Sequence, residues 1–187
     1  MNQMNDKNEL FWQLLKPEYK RAMMYCRKLM QHREKGDDLF QDAIVTAIRK
    51  IDQLREQNAF RPWFYRIVIN TFNSEIKKHK KRTFMPFDTE TEQILPAHNP
   101  ANIHFANIWL EKLFKALKPD EQSLIILFEM EQWTLAEIGE MYGKSEGAIK
   151  PKLFRTRAKL KKELSRLTKN RSAEVTELKK LMNAYAM

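Results

Sequence analysis

Apolar residues recur at helical spacing along most of this chain. Leu10, Leu14 and Leu15, then Met23, Met24 and Leu29, predict one or two opening helices, with Pro17 at an early break. Gly36-Asp37-Asp38 punctuates the pattern. Asp37 is expected to cap a helix from Asp38 to about Leu54, with Phe40, Ile44, Ala47, Ile48 and Ile51 on one face. The stretch REQNA (Arg55 to Ala59) interrupts that period, and a further helix follows from about Arg61 to Lys81. Between Thr83 and His104 the period stops. That segment holds Pro86, Pro96 and Pro100 with Asp88, Glu90 and Glu92, and it predicts a tether between two domains.

Helices resume near Ile103 and run to about Leu167. LKPDEQ starts one, with Pro119 in its first turn and Asp120 and Glu121 at the positive helix end. TLAE has the spacing of a capping box, Thr134 at the cap and Glu137 three residues on. In YGKS, Gly143 suits a left-handed helix end and Ser145 suits the cap of the next helix. A short helix, a glycine turn and a longer basic helix together predict a helix-turn-helix. In the last helix, Ile149, Leu153, Thr156 and Leu160 form a core stripe. Gly147, Pro151, Phe154, Arg155 and Ala158 face the other way, with Lys144, Lys150, Lys152, Arg157 and Lys159 beside them. Pro151 fits two geometries. A helix capped by Ser145 would lose a ladder bond and kink at the proline, whereas one starting near Lys150 would hold it in the first turn. The first keeps Ile149 and Leu153 in a single register.

Composition agrees with helix. Only four of 187 residues are glycine, and no stretch alternates with the period of a strand. The expected fold is therefore all-α: two helical domains joined by a flexible linker, the second containing a helix-turn-helix. The formal net charge of +10 favours a polyanionic partner. The lone Cys26 excludes an internal disulfide, and its apolar surroundings (AMMYCRKLM) suit a buried thiol. No Gly-rich phosphate loop, metal-ligand spacing or nucleophile–base set is present. The expectation is a protein that is not an enzyme, with no catalytic residues, no metal, no cofactor and no small-molecule substrate. Its first residues, MNQMNDKNELFW, lack the basic start and apolar run of a secretion signal, and no run is long enough to insert into a membrane. A cytoplasmic location follows as an expectation.

Two more stripes bear on partners. Asp38, Gln41, Asp42, Val45 and Arg49 share a side of their helix away from its core residues, as a docking surface or as ordinary surface acids. FRPWFYRIVINTFNSEIKKHKKR packs aromatics before a basic run. Phe60, Trp63, Phe64 and Tyr65 cannot all face one side, and an exposed ring beside Arg66 suits stacking on an unpaired base. Asn70 is either a base-reading amide or a satisfied half-buried one. Lys77, Lys78 and the basic residues up to Arg82 suit phosphates, or simply a solvated helix end.

Taken in order, DDLFQDAIVTAIRKIDQL, FRPWFYRIVINTFNSEIKKHKKR and TLAEIGEMYGKSEGAIKPKLFRTRAKLKKEL resemble regions 2 and 4 of bacterial sigma factors of the extracytoplasmic-function (ECF) group. The resemblance implies a region 2-like domain over 1–82, a linker over 83–104 and a region 4-like domain over 105–167. A tail over 168–187 has Val175, Leu178, Met182 and Tyr185 at helical spacing and no assigned role. It implies that Asp38, Leu39, Gln41, Asp42 and Arg49 bind core RNA polymerase at its clamp coiled coil, with flap regions as a second contact. Asp42 stands where the family motif has Glu. The loop Arg55, Glu56, Gln57, Asn58 and Ala59 matches a pocket for a base flipped from the −10 element. Trp63, Arg66, Asn70, Lys77 and Lys78 match its neighbourhood. Glu137-Ile138-Gly139 is similar to the Glu-Ile-Ala of the first helix of the helix-turn-helix. The −35 contacts fall on Lys144, Lys150, Pro151, Lys152, Phe154, Arg155 and Lys159. Pro151 stands where a hydrogen-bond donor is usual, and Phe128 where some members have a basic residue. The linker acids are expected in a nucleic-acid channel of polymerase, and an anti-sigma factor is an expected partner. The alternatives are a stand-alone helix-turn-helix regulator and a helical scaffold whose basic faces only solubilise it.

Overall fold

The computed structural model describes residues 3–82 and 109–169, with side chains from 6 to 78 and from 109 to 169. The tether acids and the tail positions named above lie outside these described residues. The order is α1 (Gln3–Leu15), α2 (Tyr19–Met30), α3 (Arg33–Lys50), two short 3₁₀ turns (Ile51–Gln53 and Gln57–Ala59) and α4 (Phe60–Arg82). Helical residues 109–115 form α5. Then come α6 (Pro119–Ile125), a π-helical turn (Ile126–Met130), α7 (Leu135–Tyr142) and α8 (Glu146–Thr168). No strand occurs among the described residues. No helix among them is long and apolar enough to cross a membrane.

Helix α3 corrects one boundary. It begins at Arg33, not Asp38, with His32 as its cap, and Asp37 lies inside it bonded to Arg27. Gly36 is therefore no turn. A Cβ there would lie 2.4 Å from Arg27 Cα, so glycine marks the crossing of α2 over α3. The first domain's core is aromatic. Phe11, Phe40, Phe60 and Phe64 form edge and stacked contacts, with the Phe60 and Phe64 centroids 5.7 Å apart. Cys26 is fully buried, and burial pushes its thiol well above its ordinary range, as suits a packing residue rather than a nucleophile.

In the second domain the capping box forms as its spacing requires. Glu137 N–H donates to Thr134 Oγ1 (3.2 Å), and Thr134 N–H donates to Glu137 Oε2 (2.8 Å). Gly143 ends α7 at φ 61°, left-handed backbone that glycine adopts without a Cβ clash. Ser145 occupies the cap position of α8 with extended backbone, but its side chain makes no cap bond. Pro151 sits inside α8 with Ile149, Leu153 and Thr156 buried, which is the single-register geometry. It has no N–H to offer the Gly147 carbonyl one turn earlier.

The two domains pack on each other, which the chain pattern does not foretell. The π-helical turn ends at Glu131, which is 6% exposed and held by Lys28 Nζ (2.6 Å) and Arg21 Nε (3.2 Å) of α2. Arg21 also donates to the Glu131 carbonyl. Trp133, buried beside it, lies against Tyr65 with ring centroids 4.7 Å apart, and the Arg61 guanidinium covers its face at 3.8 Å. Arg61 also reaches Glu137 (3.5 Å) and Glu18 (3.4 Å).

Candidate functional site

Three exposed stripes collect the candidate residues. On α3, Asp38, Gln41, Asp42, Val45 and Arg49 are all exposed, and Val45 is 46% exposed although apolar. They repeat every three or four residues, so one side of the helix presents two carboxylates, an amide and a guanidinium around an apolar centre. Leu39 does not join them. It is 3% exposed and packs into the core with Phe40, so it holds the helix down and presents nothing to a partner.

The second stripe starts at the loop between α3 and α4. Arg55, Glu56, Gln57, Asn58 and Ala59 are all exposed, and the 3₁₀ turn Gln57–Ala59 closes with Ala59 N–H donating to the Glu56 carbonyl at 3.1 Å. It runs directly into α4, where Trp63, Arg66, Asn70 and Lys77 fall on one side at helical spacing. Phe60, Phe64 and Tyr65 go to the core, which leaves Trp63 half-buried beside Phe60 (5.8 Å). Asn70 is exposed, so it is not a half-buried amide. Lys77 and Lys78 are exposed, and the side chains that follow lie outside the described residues.

The third stripe is the outer side of α8 with the turn before it. Lys144, Lys150, Pro151, Phe154 and Arg155 are exposed. Lys152 and Lys159 are drawn elsewhere. Lys152 Nζ lies 2.6 Å from Asp120, Lys159 is paired with Glu121, and Arg157 pairs with Glu129 at 2.5 Å while lying over the Phe128 ring. These three bonds tie α8 to α6 and the π-helical turn, so acids close to α6 take up cations that the pattern alone puts beside the outer face.

Those acids set a pH dependence. Burial would raise Asp120 and Glu121, and it is the largest single influence on each. The Lys152 and Lys159 ammoniums and backbone N–H groups together outweigh it, leaving both below their usual range. Glu137 is lowered chiefly by the Thr134 N–H. A carboxylate lowered by folding stabilises above its unfolded pKa and loses that contribution as pH falls through its folded value. Thermal unfolding followed by circular dichroism should therefore show an unchanged midpoint between pH 7 and 6 and a falling one below about pH 4. Glu137→Gln should flatten part of that acid limb. An acid limb identical to that of the parent protein would remove Glu137 from the set.

Glu131 meets Arg21 and Lys28 across more than 100 positions of chain, and no period marks them as partners. The one available cue is an acid beside a tryptophan (EMEQW) at the end of an apolar run. No group of three or more metal-ligating side chains occurs among the described residues.

Comparison with known proteins matches this layout. A family model described as Sigma-70 region 2 matches residues 14–82, and Sigma-70, region 4 matches residues 113–162, together well over half of the chain. The chain is 28% identical over 166 residues to RNA polymerase sigma factor YlaC of Bacillus subtilis, covering 86% of this chain and 94% of that protein. It is 26% identical over 158 residues to ECF RNA polymerase sigma factor SigM of Mycobacterium tuberculosis, covering 84% and 78%. Among solved structures, the sigma factor RpoE of Bartonella quintana, in complex with the anti-sigma factor NepR, superposes with a TM-score of 0.63 at 20% identity. That match covers 83% of this chain and 96% of the other. CnrH, in complex with the cytosolic domain of CnrY, gives 0.60 at 20% identity, covering 83% and 87%. Two regions in the family's order, with relatives spanning most of both chains, settle the membership: this chain belongs to the sigma-70 family, in its extracytoplasmic-function group.

Proposed function

We propose that this protein is a dissociable specificity subunit of RNA polymerase. It binds core polymerase through the exposed side of α3 and directs promoter-specific initiation by reading −10 and −35 elements. Residues 1–82 carry polymerase docking and −10 recognition and melting, and 105–167 carry −35 recognition. The observation that supports this best is the exposure of all three stripes, each on its own element and in the family's order. The role needs no catalysis by this chain, and its place is the cytoplasm, where polymerase and DNA meet. An anti-sigma factor is the expected regulator, since the related folds RpoE and CnrH were solved in complex with NepR and CnrY.

The test is reconstitution. Core polymerase plus this protein should initiate from particular sites in its native genome, and core alone should not. Arg155→Ala should lower initiation at those sites about 10-fold or more, the size expected if the guanidinium makes a two-pronged base contact. Specific DNA binding without core, together with no stimulated initiation, would instead indicate a stand-alone regulator.

A further inference from the structure

From Gly147 to Ala158 the outer face of α8 is short of hydrogen-bonding side chains. With Pro151 as centre, Gly147, Ala148, Phe154, Arg155 and Ala158 all lie within about 60° of it at 100° per residue. All six are exposed. Phe154 is 74% exposed, above every other large apolar side chain described. Arg155 alone among them carries a hydrogen-bonding side chain. Lys152, Arg157 and Lys159 are bound to acids of their own domain, as above. Lys162 shares the meridian, about 20° from Pro151, but lies about three turns further along the axis, while Lys144 precedes the helix and Lys150 lies to its side. These exposed cations are therefore placed for phosphates flanking the Gly147–Ala158 patch.

In the major groove, base edges offer donors, acceptors and one apolar feature, the C5-methyl of thymine. A phenylalanine ring pressed on any other edge would strip water from polar atoms and return no hydrogen bond. Resting on the proposed −35 role of this domain, we infer that Phe154, flanked by Pro151 and Ala158, reads thymine methyl groups in the −35 element. Arg155 supplies the one polar contact beside them. This site then selects thymine by its methyl, where a donor at position 151 would have selected by hydrogen bonding.

Uracil isolates the methyl, since it keeps thymine's pairing and its groove acceptor. A promoter library randomised across the −35 region is transcribed by core polymerase with the full chain, and the selected element is remade with deoxyuridine for each thymine in turn. Thymine should be enriched at one or two positions, and deoxyuridine there should lower initiation about four-fold, the order expected for one buried methyl. Phe154→Ala should bring the thymine template down to the deoxyuridine level and erase the difference between them. Phe154→Leu should keep part of it. Phe154 is exposed, so both variants should unfold at the parent temperature. A selected −35 element that tolerates deoxyuridine everywhere overturns the methyl assignment and leaves the −35 role standing. So does a thymine preference that survives Phe154→Ala. A library that selects nothing at −35 overturns both.

Discussion

Charge reversal by Asp38→Arg together with Asp42→Arg is expected to abolish binding to core polymerase and leave the fold intact. Both carboxylates lie on the exposed side of α3, one turn apart, with the apolar Val45 between them and Arg49. A partner surface complementary to two acids would meet two guanidiniums instead. Like-charge juxtaposition at an interface costs several kcal/mol, so the dissociation constant should rise at least about 100-fold. Competition against the parent protein for a limiting amount of core measures this directly, and the thermal midpoint should move by no more than a couple of degrees, as usual for surface changes. A double variant that competes normally would place docking on another face. Leu39→Ala is the useful contrast. Leu39 is buried, so its loss should cost about 2–5 kcal/mol of stability and weaken docking only through the fold.

Gly36→Ala should do the opposite, damaging the fold with no partner present. Two effects compete. Alanine is favoured over glycine inside a helix by about 1 kcal/mol. Against that, the added Cβ would fall 2.4 Å from Arg27 Cα and 2.7 Å from Arg27 N. These are backbone atoms, so no rotamer relieves the overlap, and α2 and α3 must move apart. That movement would also pull on the Arg27–Asp37 pair, whose bonds are 2.7 and 3.0 Å. The clash should prevail, with a net loss of about 3 kcal/mol and a midpoint lower by roughly 10 °C. A midpoint equal to or above that of the parent would show that the crossing is slack. Because α3 also carries the docking stripe, core binding should weaken in proportion to the loss of folded protein.

Periodicity made the helices and their outward faces legible before any coordinates. The α8 register, the Thr134 capping box and the exposed side of α3 all follow from residues within one or two turns of each other. What the pattern leaves out has one cause. Gly36 reads as punctuation because its role depends on Arg27 in another helix, and the motif around Leu39 does not state that this member points into the core. Lys152 and Lys159 lost their free cationic character to Asp120 and Glu121, more than thirty positions earlier. Contacts between elements leave no period in the chain. For the same reason the packing of α2 and α4 against Glu131 and Trp133 was invisible from sequence alone.

That packing sets a balance between two populations. Elements centred near −10 and −35 lie about 25 base pairs apart, or about 85 Å along a duplex. A compact body of about 140 residues has a radius of gyration of only about 15 Å, too small to hold both sites. With −10 read by residues 1–82 and −35 by 105–167, as proposed, a form bound at both elements would part Glu131 from Arg21 and Lys28, and Trp133 from Arg61. Binding then carries a conformational-selection penalty, in which apparent affinity scales with the fraction already parted. The junction is poised for this. The Tyr65 hydroxyl, Trp133 Nε1 and one Glu18 oxygen are buried there with no hydrogen-bond partner among the described residues, and Arg61 Nε has only its 3.4 Å ion pair with the other Glu18 oxygen. Water would satisfy each of them on parting and offset part of the apolar area exposed. At this junction the usual correspondence between stability and function is reversed: contacts that strengthen the free protein weaken its hold on a promoter.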